Sequence, residues 1–195
     1  ARFLTFPELS QILKRRHFIV LTVVEMSTRN VSGATGQYTT HGTPHGFTSI
    51  TPFLAIDGAD RALRFYCDVF GARIVDSVEM EGSIVHAELD FGHGRLQIGE
   101  PSALSGLVAT PSAEPVCYSI GLYCPAVDAT VDRATTAGAT LLESPTTFVS
   151  GDRFASIRDP FGVRWSVMTR VEDLSEEESA ARVAQWAKEQ AASGD

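Results

Sequence analysis

A chain of 195 residues, 44% hydrophobic and 21% charged, has room for one domain of about 120 to 150 residues with tails, and not for two large ones. Its formal net charge of −8, from 16 Lys and Arg against 24 Asp and Glu, argues against a broad phosphate-binding surface, so nucleic acid is not an expected partner. The three cysteines, Cys67, Cys117 and Cys124, lack CxxC spacing and cannot close a full disulfide set; they read as small buried apolar residues in a reducing compartment.

The first 25 residues differ in character from the rest of the chain. Lys14-Arg15-Arg16 and the apolar run Phe18–Val24 mimic the start of a secretion signal, but no small-x-small site comes after them. The run also falls far below the roughly 20 residues that span a bilayer, so a cytoplasmic protein without membrane contact is expected. Met26 opens a polar stretch, and the residues before it are expected to be upstream or non-native sequence. From Ser27 to Gly46 large apolar side chains are scarce, so residues 1–46 are expected to form a flexible, partly non-native segment, with His41 and His45 as solvated histidines.

Order is expected from Phe47. Phe47–Ile56 reads as a strand, with Pro52 marking an edge or an end. Ala59–Phe70 carries apolar residues at helical spacing and stops at Gly71. Strands are expected at Ala72–Glu79, Ser83–Asp90 and Arg95–Gly99, separated by Gly-containing turns. After a Ser/Ala/Gly/Pro-rich linker at Pro101–Pro115 the pattern recurs. It gives a strand at Val116–Tyr123, a helix at Val127–Ala137 ended by Gly138, and strands at Ala139–Thr146, Arg153–Arg158 and Val163–Arg170. Phe70-Gly71-Ala72-Arg73-Ile74-Val75-Asp76-Ser77 echoes Ala137-Gly138-Ala139-Thr140-Leu141-Leu142-Glu143-Ser144, which points to a duplicated unit. The last two strands flank Asp159-Pro160-Phe161-Gly162, a tight turn, so Arg164, Ser166 and Met168 share one face and Trp165, Val167 and Thr169 the other. An Arg153–Asp159 ion pair is expected to fix this hairpin, and Tyr118 and Trp165 to lie in the core. Ser175 and Glu178 form a capping box for a last helix, with Val183, Trp186 and Ala187 as its docking stripe.

The two βαβββ units, with the motifs FYCDVFGA, VHAELDFG and GDRFASIRDPFGVRW, resemble the vicinal oxygen chelate superfamily, the glyoxalase, bleomycin-resistance and extradiol dioxygenase group. ITPFLAIDGADRALRFYCDVFGA and FGVRWSVMTRVEDLSEEE are most similar to its PhnB-like branch. The resemblance covers about Phe47 to Glu178. It implies an α+β fold in which modules 47–100 and 116–172 form a cupped, barrel-like sheet around a small-molecule cavity, in residues 47–172. A C-terminal helix and tail occupy 173–195, and a homodimer is implied. The four positions that hold a metal in metal-using members fall on Thr51, Glu88, Ser119 and Ser166. Only Glu88 is a good ligand type; neutral hydroxyls do not replace imidazole, thiolate or carboxylate donors on a borderline divalent ion.

These residues admit three readings. In the first, the cup binds a small organic molecule without the family's metal, and Thr51, Phe53, His86, Glu88, Ser119, Ser166 and Met168 line it. In the second, a divalent metal serves a lyase, isomerase or dioxygenase, with Glu88 and His86 as the catalytic residues. His86 and Glu88 share a strand face, and His93, in the next turn, is expected to be solvated. In the third, the chain is a structural dimerisation module.

Overall fold

The computed structural model describes residues 32–111 and 115–193. The expectation for the first 25 residues lies outside these. The chain divides after His45 into two compact units. Within the described part of the first, Thr39–Thr40 (β1) and Thr43–Pro44 (β2) pair as a two-residue antiparallel hairpin, in the segment expected to be a flexible arm. His45 there shares a 2.9 Å hydrogen bond with the Thr40 hydroxyl through Nε2.

The second unit, Gly46 onward, holds the duplicated fold. Its first module runs Phe53–Ala55 (β3), Ala59–Phe70 (α1), Arg73–Met80 (β4), Ser83–Asp90 (β5) and Arg95–Gly99 (β6). Its second runs Ile120–Tyr123 (β7), Val127–Thr136 (α2), Thr140–Thr147 (β8), Asp152–Arg158 (β9) and Arg164–Arg170 (β10). Each module makes a four-stranded mixed sheet in the same order, β3-β6-β5-β4 and β7-β10-β9-β8. In both, first and last strands run parallel and the rest antiparallel. The fold is therefore α+β with two βαβββ modules and a C-terminal helix, Glu176–Ser193 (α3). The cup consists of two sheets rather than one closed barrel.

Both helices bury one face. In α1, Ala62, Leu63, Phe65, Tyr66 and Val69 are buried at helical spacing, and in α2 Val127, Val131 and Ala134. Sheet residues facing them alternate with cup-facing ones: Ala87 and Leu89 on β5, Ile157 on β9, and Trp165 and Val167 on β10 are all buried. Each large apolar side chain so placed contributes about 1.5–3 kcal/mol. The first strands are shorter than expected at both module entrances. Pro52 cannot donate to a ladder, so β3 starts one residue later, and only the Pro52 carbonyl is used, by Gln97 N at 2.8 Å. Gly99 is required by close approach: a Cβ there would lie 2.5 Å from the Val85 carbonyl oxygen and 3.0 Å from the Phe53 ring.

Neither helix caps itself with a side chain from its own N-cap residue. The Glu100 carboxylate, just past β6, accepts from Gly58 N (3.2 Å) and Ala59 N (2.9 Å) at the start of α1. The Thr169 hydroxyl, on β10, accepts from Val127 N (2.9 Å) at the start of α2 and donates to the Cys124 carbonyl. Glu100 thus places a negative charge on the positive end of the helix dipole as well as satisfying orphan amides. Glu100→Ala is expected to cost about 1–2 kcal/mol in urea unfolding, and an unchanged midpoint would show that the cap carries no stability.

Asp159 does not meet Arg153. It is 3% exposed and receives four hydrogen bonds: from Tyr66 OH (2.8 Å) and Trp165 Nε1 (2.9 Å) on Oδ2, and from the amides of Phe161 and Val163 (both 2.9 Å) on Oδ1. Arg153 instead makes a bidentate pair with Asp128, at 2.7 and 2.6 Å. The reason is reach: Arg153 and Asp159 lie at opposite ends of an extended strand, about 20 Å apart. Tyr66 belongs to the first module and Asp159 to the second, so their bond ties the modules together in the core.

The C-terminal helix opens with the expected capping box, Ser175 N donating to Glu178 Oε2 at 3.0 Å and Glu178 N to Ser175 Oγ at 3.1 Å. Docking is slighter than expected. Val183 is half-buried, Trp186 meets Phe148 edge-on at 5.0 Å, and Ala187 is exposed. Cys67 and Cys124 are half-buried, whereas Cys117 is exposed, against the expectation of burial. No helix among the described residues is long and apolar enough to cross a membrane.

Candidate functional site

The sheet faces turned away from α1 and α2 carry the expected site residues, in two groups. In the first module, alternation along β5 puts His86, Glu88 and Asp90 on the cup face. His86 lies over Phe53, ring centroids 6.1 Å apart, and both are half-buried. Thr51 is half-buried in the approach to β3. Among the described residues His86 makes no hydrogen bond to Glu88.

Glu88 has another partner. The β5–β6 register sets Glu88 opposite Gln97 and Asp90 opposite Arg95, so Arg95 stands diagonally beside Glu88 on the same face. Its Nη1 donates to Glu88 Oε1, with both side chains 10% exposed. The same guanidinium donates through Nε to the Gly46 carbonyl at 3.1 Å, lies 4.8 Å from the Phe47 ring centroid, and reaches to 3.8 Å from Asp90 Oδ2. Asp90 is also bound by Arg73 at 2.7 Å. The Gly92 amide, ahead of the two arginines, holds the Asp90 carboxyl below the usual carboxylate range.

In the second module Ser119 and Ser166 meet through their hydroxyls at 2.9 Å. Met168 lies on the same face, its Cε 3.3 Å from where a Cβ on Gly121 would stand. The register places Ser166 between Gly121 on β7 and Ser156 on β9.

A cavity of about 400 Å³ opens beside the Glu88–Arg95 pair. Its wall comes from Thr48, Ile50 and Pro52, the β5–β6 turn with His93 and Arg95, strand β7 with Gly121 and Tyr123, and Trp165 beneath. Both modules contribute, yet none of the seven expected ligand-binding residues lies in this wall. His93, exposed as expected for a turn residue, is part of it.

The donor set does not fit a divalent metal at the four family positions. Two of them are hydroxyls bonded to each other, Thr51 is a third hydroxyl, and Glu88 is held by a guanidinium. Among the described residues no cluster of three His, Cys, Asp or Glu side chains is placed to hold an ion. Sequence reading missed Arg95 because a charged strand residue after a turn looks solvent-facing. The Gly92-His93-Gly94 turn, which fixes Asp90 opposite Arg95, is the signal that would have found it.

The two modules, their strand order and the match of residues 46–167 to the Glyoxalase/Bleomycin resistance protein/Dioxygenase superfamily agree. The chain belongs to this superfamily. Beside this glyoxalase/bleomycin resistance chain, the uncharacterized Mycobacterium bovis protein Mb0911c is 31% identical over 144 residues, 68% of this chain and 90% of that one. Of solved structures, TioX from Micromonospora sp. ML1 is similar with a TM-score of 0.50 at 24% identity, covering 66% of this chain and all of TioX. A PhnB protein from Bacillus cereus has a TM-score of 0.50 at 19% identity, covering 63% and 99%. The structural likenesses are likenesses of fold, and they include the PhnB-like branch that the sequence motifs resemble.

Proposed function

We propose that this glyoxalase-fold protein binds a small organic molecule in its cup without the family's metal, as a cytoplasmic homodimer. One observation carries the reading: the carboxylate at the one family position with a good ligand type, Glu88, is neutralised by Arg95. A guanidinium there supplies the positive charge that relatives take from an ion, and it cannot act as a Lewis acid. Apolar walls from Phe53 and Met168 with a few polar groups, His86, Ser119, Ser166 and Arg95, make the mixture that small-molecule pockets use.

The homodimer is supported by the outermost strands. Every residue of β4 is exposed, including Ile74, Val75, Val78 and Met80, and β8 exposes Leu141 and Leu142. Such apolar strand surface favours coverage by a second copy. The two tests are elemental analysis and a thermal-shift screen. Protein purified without added metal is expected to carry only substoichiometric Zn, Ni, Fe or Mn. A library of glycopeptide drugs, thiol adducts and aromatic metabolites is expected to contain compounds that raise the melting temperature. Stoichiometric metal would favour a lyase or dioxygenase instead, and a library without one stabilising compound would favour a purely structural dimer.

A further inference from the structure

Three buried side-chain atoms among the described residues have no hydrogen-bond partner: Ser156 Oγ, Arg158 Nε and Arg164 Nε. They are not scattered. Ser156 and Arg158 are two apart on β9, so they share a face, and that face is opposite the one carrying the buried Ala155 and Ile157. Across the ladder, Ser166 stands opposite Ser156 and Arg164 opposite Arg158. All the unpartnered atoms therefore belong to residues on the cup face of the second module that are neighbours along and across the β9–β10 ladder. All three can donate, and the two guanidinium nitrogens can do nothing else.

Charge says the same. Two arginines directly opposite on neighbouring strands repel unless something negative lies between them. Glu143 of β8 serves one of them, with Arg164 Nη2 donating to its Oε1 at 2.7 Å. Arg158 makes no ion pair among the described residues. Two guanidinium charges against one carboxylate leave a single positive charge on this patch. Both arginine side chains keep part of their surface in solvent, but their Nε atoms and the Ser156 hydroxyl are buried, and a cluster of buried donors without acceptors in a native fold marks a missing acceptor.

The geometry points to an oxyanion site: Ser156, Arg158 and Arg164 receive the phosphate, phosphonate or carboxylate group of a small molecule. The edge of a guanidinium formed by Nε–H and one Nη–H is the fork that matches two oxygens of such a group. Arg158 offers this edge free and Arg164 offers its Nε beside the Nη2 that holds Glu143; the Ser156 hydroxyl supplies a further donor two residues along β9 from Arg158, and the neighbouring Ser166–Ser119 pair borders the site on the β7 side. The inference deepens the ligand-cup reading and rests on it for the organic part of the ligand; the anion site itself stands on the three unpartnered donors.

Thermal unfolding of the full chain at fixed ionic strength tests it, with sodium phosphate or sodium acetate replacing sodium chloride at pH 7.5. At about 20 mM one of the two is expected to raise the melting temperature saturably by about 3–6 °C. Phosphate as the better probe assigns a phosphate or phosphonate group, and acetate a carboxylate. Arg158→Lys keeps the charge but loses the fork, and is expected to abolish the shift. Ser156→Ala removes a buried unpartnered hydroxyl, so it is expected to fold at least as well without anion and to weaken binding about five- to tenfold. No saturable shift with either anion, or a shift of the same size in Arg158→Lys, overturns the site and leaves water as the partner of these donors. Stabilisation by neutral organic compounds but by neither anion would sink this inference alone. Stabilisation by an anion but by no organic compound would sink the ligand-cup reading alone.

Discussion

Asp159→Asn is expected to lower stability by about 2–4 kcal/mol, and the melting temperature by roughly 5–15 °C, without changing the ligand face. All four donors that converge on Asp159 need an acceptor, and an amide offers one oxygen and two hydrogens to the same set. Two of the donors, Tyr66 and Trp165, are themselves buried and would lose their only partner on that side. The effect is also expected to depend on pH. Burial pushes the Asp159 carboxyl above its ordinary range, against the pull of Trp165, Tyr66 and the two amides. Burial first, then the neighbouring Asp159 charge, drives the Tyr66 hydroxyl well above its ordinary range. A raised carboxyl contributes stability that is full below the unfolded value, near pH 4, and declines as pH rises through the folded one. The gap between wild type and Asp159→Asn is therefore expected to widen as the pH falls from 7 towards 4 in urea titrations. A gap that narrows on acidification would show that the hydrogen bonds, not burial, set the titration.

Arg95→Met is expected to cost about 3–5 kcal/mol, because it leaves Glu88 as an uncompensated charge in a nearly closed position. It also removes the stacking on Phe47 and the bond to the Gly46 carbonyl. The double variant Glu88→Gln with Arg95→Met is expected to recover more than half of that loss, since replacing both ends of a buried pair with groups of similar size is often close to neutral. Chemical unfolding of the two single variants and the double closes the cycle. Additive losses would mean that Arg95 acts through Phe47 and Gly46 rather than through Glu88, and would remove the main support for the metal-free reading.

What the sequence made legible was local. Helix α1 ends at Gly71, whose φ of 74° suits no side chain well, and the DPFG turn, with Gly162 at φ 90°, sets the alternation that buries Trp165 and exposes Ser166 to the cup. The capping box of Ser175 and Glu178 was equally readable, because a span of three residues contains the whole interaction. Pairing between distant segments set the features that escaped. Asp159 finds Tyr66 across 93 positions, and no spacing rule connects them. Arg153 looked like its partner because the two are close in sequence, although an extended strand holds them apart. The hydroxyls at Thr51, Ser119 and Ser166 were visible one by one. The meeting of Ser119 with Ser166, the pairing of Arg95 with Glu88 and the convergence of Ser156, Arg158 and Arg164 all depend on strand register, which composition does not encode.

The positions of Glu100 and Thr169 bear on how the chain matures during synthesis. The acceptor that completes the beginning of α1 and of α2 is at the end of the last strand of the same half, some forty residues further on. While a ribosome is still adding those residues, the first amides of α1 lack their acceptor, with only Asp60 of its own first turn as counter-charge, and α2 waits in the same way for its threonine. Each half thus gains the last ~1–2 kcal/mol of its helix start only once its final strand has emerged.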